Sequence, residues 1–176
     1  MAKKTSIIIG LAGRKRAGKT TVATRLIELA KEMGLTPIRI GFADPLKAET
    51  AKIFGPVTEE NKAVLRPVLQ AVGTAMKELR GDDVWLNRLI ETWQSYQQAG
   101  YNMLVVDDVR FPYEAEHLQE QGGQVWKISR PSTDNSGDTH SSETSVDLVK
   151  ADKYLVEENI EKLLDRVTNT WHEYWK

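Results

Sequence analysis

Gly13-Arg14-Lys15-Arg16-Ala17-Gly18-Lys19-Thr20 decides how this chain is read. The octapeptide fits G-x-x-x-x-G-K-[ST], and its flanks fit as well. An apolar, β-branched run (Ser6-Ile7-Ile8-Ile9-Gly10-Leu11) leads in, and a helical pattern from Thr21 to Ala30 leads out. Glycines let the backbone fold closely around a polyphosphate, so that successive N–H groups and the helix N-terminus point at its oxygens. Gly13, Arg16, Ala17, Gly18, Lys19, Thr20 and Thr21 are therefore the candidates for holding a nucleoside triphosphate. Lys19 would set a positive charge on the β- and γ-phosphates, and the Thr20 hydroxyl would reach Mg²⁺. The alternative is a glycine-rich turn with no ligand. Strand before, helix after and Lys-Thr at the end weigh against it.

Composition narrows the classes. The chain has 176 residues, enough for one compact α/β domain. Its formal charge of −1 supplies no global field toward nucleic acid or anionic lipid. It has no cysteine, which excludes disulfides, thiolate zinc sites and a cysteine nucleophile together. The three histidines, His117, His140 and His172, are scattered and form no recognisable metal cluster. Ile7-Ile8-Ile9 is too short for a signal sequence, and no apolar segment approaches membrane-spanning length. A cytoplasmic protein without nucleic-acid or membrane partners is the expectation.

Five apolar runs alternate with helical patterns: Thr5–Gly10, Thr36–Phe42, Tyr101–Asp107, Gln124–Ile128 and Lys153–Val156. The first helix ends at Met33-Gly34, where Gly34 suits the residue just past a helix C-terminus. Further helices are predicted at Pro45–Phe54, Asn61–Leu79, Val84–Gln98, Tyr113–Gln121 and Ile160–Trp171. Strands separated by helices imply an α/β fold, a mostly parallel five-stranded sheet with helices on both faces. Ligands in such sheets bind beyond the carboxyl ends of the strands, where the phosphate loop falls.

Two stretches break the alternation. Residues 44–100 hold three helical segments and no convincing strand, so they read as a helical insertion in a core made of 1–43 and 101–176. Within it Val64, Leu65, Val68, Leu69, Val72, Met76 and Leu79 recur at helical spacing and read as core, leaving Arg66, Gln70 and Arg80 for chemistry. The second stretch, about 130–144, is nearly devoid of apolar residues and rich in turn formers, as a functional lid or a disordered loop would be. His140 and Glu143 in it read as solvated loop, capping box or closing contact.

Met103-Leu104-Val105-Val106-Asp107-Asp108 is an apolar strand ending in acids, the pattern of a Walker B segment. Asp107 is the first candidate for Mg²⁺, and Asp108 for an N-cap or for orienting the acceptor. Pro112, Glu114 and Glu116 then start a helix, a sharp corner that carries Arg110 to the ligand-binding rim. Arg110 reads as a cation for a transferring phosphoryl group rather than a surface partner of Asp108. Arg130, directly after the fourth strand, has the same potential. Asp44, in Phe42-Ala43-Asp44-Pro45-Leu46-Lys47, reads equally as an N-cap and as a contact to an acceptor phosphate or sugar. Trp85 reads as core or as a stacking surface for a base.

Taken together, these blocks resemble a known family. Gly13–Thr20, Phe42–Lys47, Leu69-Gln70-Ala71-Val72-Gly73-Thr74, Trp85, Val106-Asp107-Asp108-Val109-Arg110-Phe111-Pro112-Tyr113-Glu114-Ala115-Glu116 and His140-Ser141-Ser142-Glu143 span nearly the whole chain. The pattern is similar to that of the bacteriophage-type deoxynucleoside monophosphate kinases. Asp-Asp-Val-Arg-Phe-Pro is its most specific element, and Tyr113 stands where that pattern has Asn. The resemblance implies a P-loop kinase fold with a five-stranded parallel core, a helical monophosphate-binding insertion and a mobile lid. It also implies nucleotide supply for DNA synthesis, a host-cytoplasm location if phage-encoded, and compatibility with a homodimer.

The expected activity is phosphoryl transfer from Mg·ATP to a deoxynucleoside 5′-monophosphate. Lys19, Arg110, Arg130 and Asp44 are the expected catalytic groups. The acceptor falls to Asp44, Lys47, Arg66, Gln70, Trp85, Asp108 and Arg110, and Mg²⁺ to Thr20 and Asp107. The alternatives are another small-molecule kinase, such as dephospho-coenzyme A kinase, a P-loop ATPase subunit, or a GTP-binding switch. The switch would need an Asn-Lys-x-Asp motif, and Asn61-Lys62-Ala63-Val64 lacks its Asp.

Overall fold

The computed structural model describes residues 6–134 and 144–175, so His140 and Glu143 lie outside the described residues. Two compact units are present: residues up to Ile40 together with Gln97 onward, and Gly41–Tyr96.

The first unit is built on β1 (Ile7–Ala12), β2 (Pro37–Arg39), β3 (Met103–Val109), β4 (Gln124–Ser129) and β5 (Lys153–Val156). All four pairings are parallel and the strand order is β2-β3-β1-β4-β5. The α/β sheet expected from the alternation is therefore the fold observed. Central β1 is paired on both sides and covered on both faces, which explains its unbroken apolar run. One face packs on α1 (Lys19–Glu32) and on the C-terminal helix α7 (Ile160–Trp175); the other packs on α5 (Pro112–Glu120).

The buried stripe of α1 is Val22, Ala23, Leu26, Leu29 and Ala30, and that of α7 is Leu163, Val167, Thr170 and Trp171. These helical-period stripes close over Ile7, Ile9, Leu11, Met103, Val105, Trp126 and Ile128. Burying each large side chain contributes about 1.5–3 kcal/mol. On the α5 face the fit is closer still. A Cβ on Gly10 would lie 2.7 Å from Leu118 Cδ1, so the absence of a side chain lets the helix approach the strand. Gly34 ends α1 as expected, at φ 76, with Gly34 N–H donating to Lys31 O and Leu35 N–H to Ala30 O.

Some boundaries differ from the sequence reading. β1 runs two residues further than expected, to Ala12, because Ala12 still pairs with both Val109 and Lys127. β2 is shorter, with its last ladder contact at Ile40 N–H to Val105 O (3.0 Å). β3 continues past Asp107 to Val109. A short helical turn, α6 (Pro131–Asp134), lies within the stretch read as a lid or disordered loop, and a 3₁₀ turn follows at Val146–Leu148.

The second unit consists of α2 (Ala43–Phe54), α3 (Lys62–Arg80) and most of α4 (Val84–Gln98). α2 packs on α3, with Leu46 Cδ2 3.4 Å from where a Gly73 Cβ would stand. α3 has 19 residues against 12 in α2 and is about 10 Å longer. This corrects the core assignment of Val64 and Leu79, which sit near the ends of α3 and are 78% and 79% exposed. Leu65 is the buried position of that stripe, while Val68, Leu69, Val72 and Met76 are half-buried.

Thr50 in α2 is buried, and its Oγ1 has no hydrogen-bond partner among the described residues. A desolvated hydroxyl without a partner costs about 1–3 kcal/mol. Thr50→Val keeps the branched shape and is expected to raise stability by about 1 kcal/mol. Thermal denaturation checks this; a melting point equal to or below the parent's would show that the hydroxyl is satisfied.

Candidate active site

The phosphate loop leaves β1 at Gly13, whose φ is 153. A Cβ there would meet Ile128 O of β4 at 2.4 Å, so the loop starts pressed against the neighbouring strand's backbone. Arg16 (φ 66) and Gly18 (φ 99) are also left-handed, and Gly18 is the residue from which α1 springs. Val22 N–H donates to Gly18 O at 2.9 Å and Ala17 N–H to Arg14 O at 3.2 Å. Lys19 lies in the first turn of α1 and folds back across the loop. Its Nζ donates to Gly13 O (2.6 Å) and Arg14 O (2.8 Å) and is largely buried. An ammonium held by main-chain carbonyls at a helix N-terminus is poised for a polyphosphate. Thr20 and Thr21 follow it and are exposed.

The end of β3 carries a feature the sequence did not disclose. Gly10 pairs with Val106 and Ala12 with Val109, so Asp107 and Asp108 together oppose Leu11. That is a β-bulge, which breaks the alternation of faces and re-aims side chains. Strict alternation from Val105 would put Val109 on the α1 face. Its Cγ2 instead lies 3.1 Å from a Cβ built on Gly10, on the α5 face. Asp107 Oδ2 lies 3.7 Å from Arg39 Nη1 of β2, and both acids remain partly accessible.

Beyond the bulge, Pro112 stands at the start of α5 as expected. The corner is locked by Glu114, which is buried and accepts both the Arg110 N–H (2.7 Å) and the Phe111 N–H (3.1 Å) on Oε2. This is the reach-back half of a capping box, and it sets where Arg110 leaves the backbone. Phe111 and Tyr113 stack with centroids 5.4 Å apart.

Beyond β4, Arg130 Nε donates to Glu158 O at 3.2 Å. The Glu158 carboxylate accepts the Ser132 N–H (3.0 Å) and the Ser132 hydroxyl, and these bonds hold its pKa below the usual carboxylate value. Arg14, in the loop, makes a bidentate pair with Asp147: Nε to Oδ1 at 3.2 Å and Nη2 to Oδ2 at 2.5 Å. The hydrogen bond from Arg14 lowers the Asp147 pKa. Lys127 Nζ donates to Asp147 O at 2.9 Å.

The sheet unit thus brings together Gly13–Thr21, Asp107, Asp108, Arg110 and Arg130 at the carboxyl ends of β1, β3 and β4. Asp44, Lys47, Arg66, Gln70 and Trp85 belong to the helical unit. Asp44 is the second residue of α2 rather than its N-cap. Its Oδ2 accepts the Gly41 N–H (2.7 Å) and its Oδ1 the Lys47 ammonium (2.8 Å). Arg66 and Gln70 are exposed and four residues apart on α3, so they share a face. Trp85 is buried and donates Nε1–H to Gly73 O at 3.3 Å, tying α4 to α3.

Among the described residues no group of three or more His, Asp or Glu forms a metal-holding cluster. A hydroxyl and a carboxylate, Thr20 and Asp107, are the hard oxygen donors that suit Mg²⁺ held mainly through phosphate and water. Among the described residues no helix is long and apolar enough to cross a membrane. Sequence reasoning missed the Arg14–Asp147 pair, whose members are 133 positions apart and carry no local signal. It also missed the specific task of Glu114, although the Phe111-x-x-Glu114 spacing is a cap signature.

Comparison with known proteins shows the family and the fold. Residues 46–167 match the family model for deoxynucleotide monophosphate kinase. A protein of Acanthamoeba polyphaga mimivirus, named provisionally as a deoxynucleotide monophosphate kinase, is 32% identical over 195 residues, covering 93% of this chain and 97% of its own. A solved structure from Chloroflexus aurantiacus, named provisionally as a kinase, aligns with a TM-score of 0.53 at 13% identity over 99% of this chain and 98% of its own. A Thermus thermophilus structure aligns with a TM-score of 0.50 at 18% identity, over 98% and 100%. At these identities the two structures speak for the fold.

Glu114→Ala would leave the Arg110 and Phe111 N–H groups without their acceptor, and is expected to cost about 1–3 kcal/mol. Chemical denaturation measures it. A loss below about 0.5 kcal/mol would mean that the corner holds its shape without the carboxylate.

Proposed function

We propose, because this chain belongs to the deoxynucleotide monophosphate kinase family, that it transfers the γ-phosphoryl group of Mg·ATP to a deoxynucleoside 5′-monophosphate. An acceptor phosphate oxygen forms the new bond to the γ-phosphorus as the bond to the β–γ bridging oxygen breaks, giving ADP and the deoxynucleoside diphosphate. The observation that carries the reading is Lys19, clamped by Gly13 O and Arg14 O at the mouth of α1. Its ammonium exchanges those carbonyls for β- and γ-phosphate oxygens, while the loop N–H groups hold the rest of the donor.

There is little covalent work for the protein in such a transfer; it aligns two phosphates, spreads charge and keeps water out. In this proposal Arg110 and Arg130 supply charge to the moving group. Thr20 and Asp107 hold Mg²⁺, which neutralises the donor's phosphate oxygens when bound. Asp44, Lys47, Arg66, Gln70 and Asp108 contact the acceptor. Trp85 serves it indirectly, by fixing α3 beneath Arg66 and Gln70. The likeness to phage enzymes and the mimivirus relative support a place in nucleotide supply for DNA synthesis.

A coupled ADP-release assay over the common deoxynucleoside monophosphates, with ribonucleotides and dephospho-coenzyme A as controls, tests the reading. ATP consumption is expected to rise with a deoxynucleoside monophosphate, and Lys19→Ala to lower that rate by roughly 10²- to 10³-fold with the fold retained by circular dichroism. Acceleration by none of the monophosphates, or a near-normal rate in the folded variant, would overturn it.

A further inference from the structure

We propose that Asp147 is a positioning residue for the phosphate loop, acting through its bidentate pair with Arg14. This rests on the reading that the loop binds ATP and adds a determinant far away in the sequence.

Three observations converge. First, the pair is a fork on a carboxylate, with both Arg14 Nε and Nη2 engaged; the Arg14 side chain is 20% exposed and that of Asp147 50%. Forked, charge-assisted bonds fix orientation as well as distance, unlike a single surface contact. Second, the residue holding Arg14 is itself held. Lys127 Nζ of β4 bonds Asp147 O, and Val149 N–H closes the 3₁₀ turn on Val146 O at 3.2 Å. Third, the Arg14 main chain is part of the cradle: Arg14 O accepts both the Lys19 ammonium and the Ala17 N–H. A continuous set of bonds therefore runs from β4 through Asp147 and Arg14 to Lys19.

A cavity of about 280 Å³ lies among Gly13, Arg14, Lys127, Val146, Asp147 and Tyr154. The turn itself is anchored by buried Val146 and Val149, and the ion pair adds to that anchor the orientation of Arg14. The exposed segment Lys15-Arg16, in which Arg16 is left-handed, is then restrained at its start by Arg14 and at its end by Gly18. Preorganising that segment lets a triphosphate bind without first ordering it.

The experiment compares Asp147→Asn, Asp147→Glu, Arg14→Met and the Arg14→Met/Asp147→Asn double variant. The ATP dissociation constant is measured by calorimetry without acceptor, KM and kcat with acceptor, and hydrogen exchange over residues 144–149. Each single charge removal is expected to weaken ATP about three- to tenfold, with kcat at saturating ATP changed by less than about twofold. The double variant should bind no worse than either single, Asp147→Glu should recover part of the loss, and amides of 144–149 should exchange faster in both singles. ATP affinity unchanged or tightened in Asp147→Asn would overturn the proposal; so would a double variant showing the product of the two losses, or exchange unaltered in Arg14→Met. A parent that binds ATP yet shows no monophosphate-dependent turnover fails the kinase reading alone, and the dissociation constants still decide the role of Asp147. A parent that binds no ATP ends both.

Discussion

The contact on which the site depends is the approach of Gly13 to the carbonyl of Ile128. Any side chain at Gly13 would drive a Cβ to within 2.4 Å of that oxygen, so the loop's first residue and β4 are in register only because Gly13 has none. From this point the chain has to turn, climb over Arg16 and Gly18 in left-handed conformations and enter α1. Gly13 and Arg14 supply the carbonyls that hold Lys19. One close approach thus sets the loop against the sheet, the direction of α1 and the place of its ammonium. The apolar packing of α1 and α7 on Ile7, Ile9 and Leu11 keeps the sheet that provides this base.

The acidic and basic ends of the site are placed by two local departures from regular structure. The β3 bulge presents Asp107 and Asp108 opposite Leu11, one of the last residues of β1 before the loop. Six positions after Asp108, Glu114 captures two consecutive N–H groups and turns the chain into α5, with Arg110 at the bend. Bulges and buried reach-back carboxylates both sacrifice regular pairing to aim side chains, which is why they gather where chemistry is done. The helical unit follows a different logic. Its long α3 is only partly covered by α2, and its polar positions Arg66 and Gln70 face outward on one side.

Much of this was legible in the chain itself. The phosphate loop is a contiguous motif, the strand and helix alternation follows from hydrophobic period, and Gly34 and Pro112 announce their positions by backbone preference alone. The misjudged places share a cause. The length of β2 depends on how far β3 accompanies it; the exposure of Val64 and Leu79 depends on what packs against α3; the stretch Asp107–Val109 depends on the register with β1. None of these is a property of the segment in which it appears. Asp44 illustrates the same limit: its residue type suits a cap, but its carboxylate is used two residues into α2, on Gly41 and Lys47.

What the amino-acid sequence determined by itself was the family, the order of the elements and the position of the glycine-rich loop, because each is encoded by residues close together in the chain. Tertiary structure alone decided which groups meet across distance: Arg14 with Asp147, Arg39 with Asp107, Gly13 with Ile128. Those meetings arise from strand order and register, and the free energy that selects a register is spread over the whole buried sheet rather than written in any one segment.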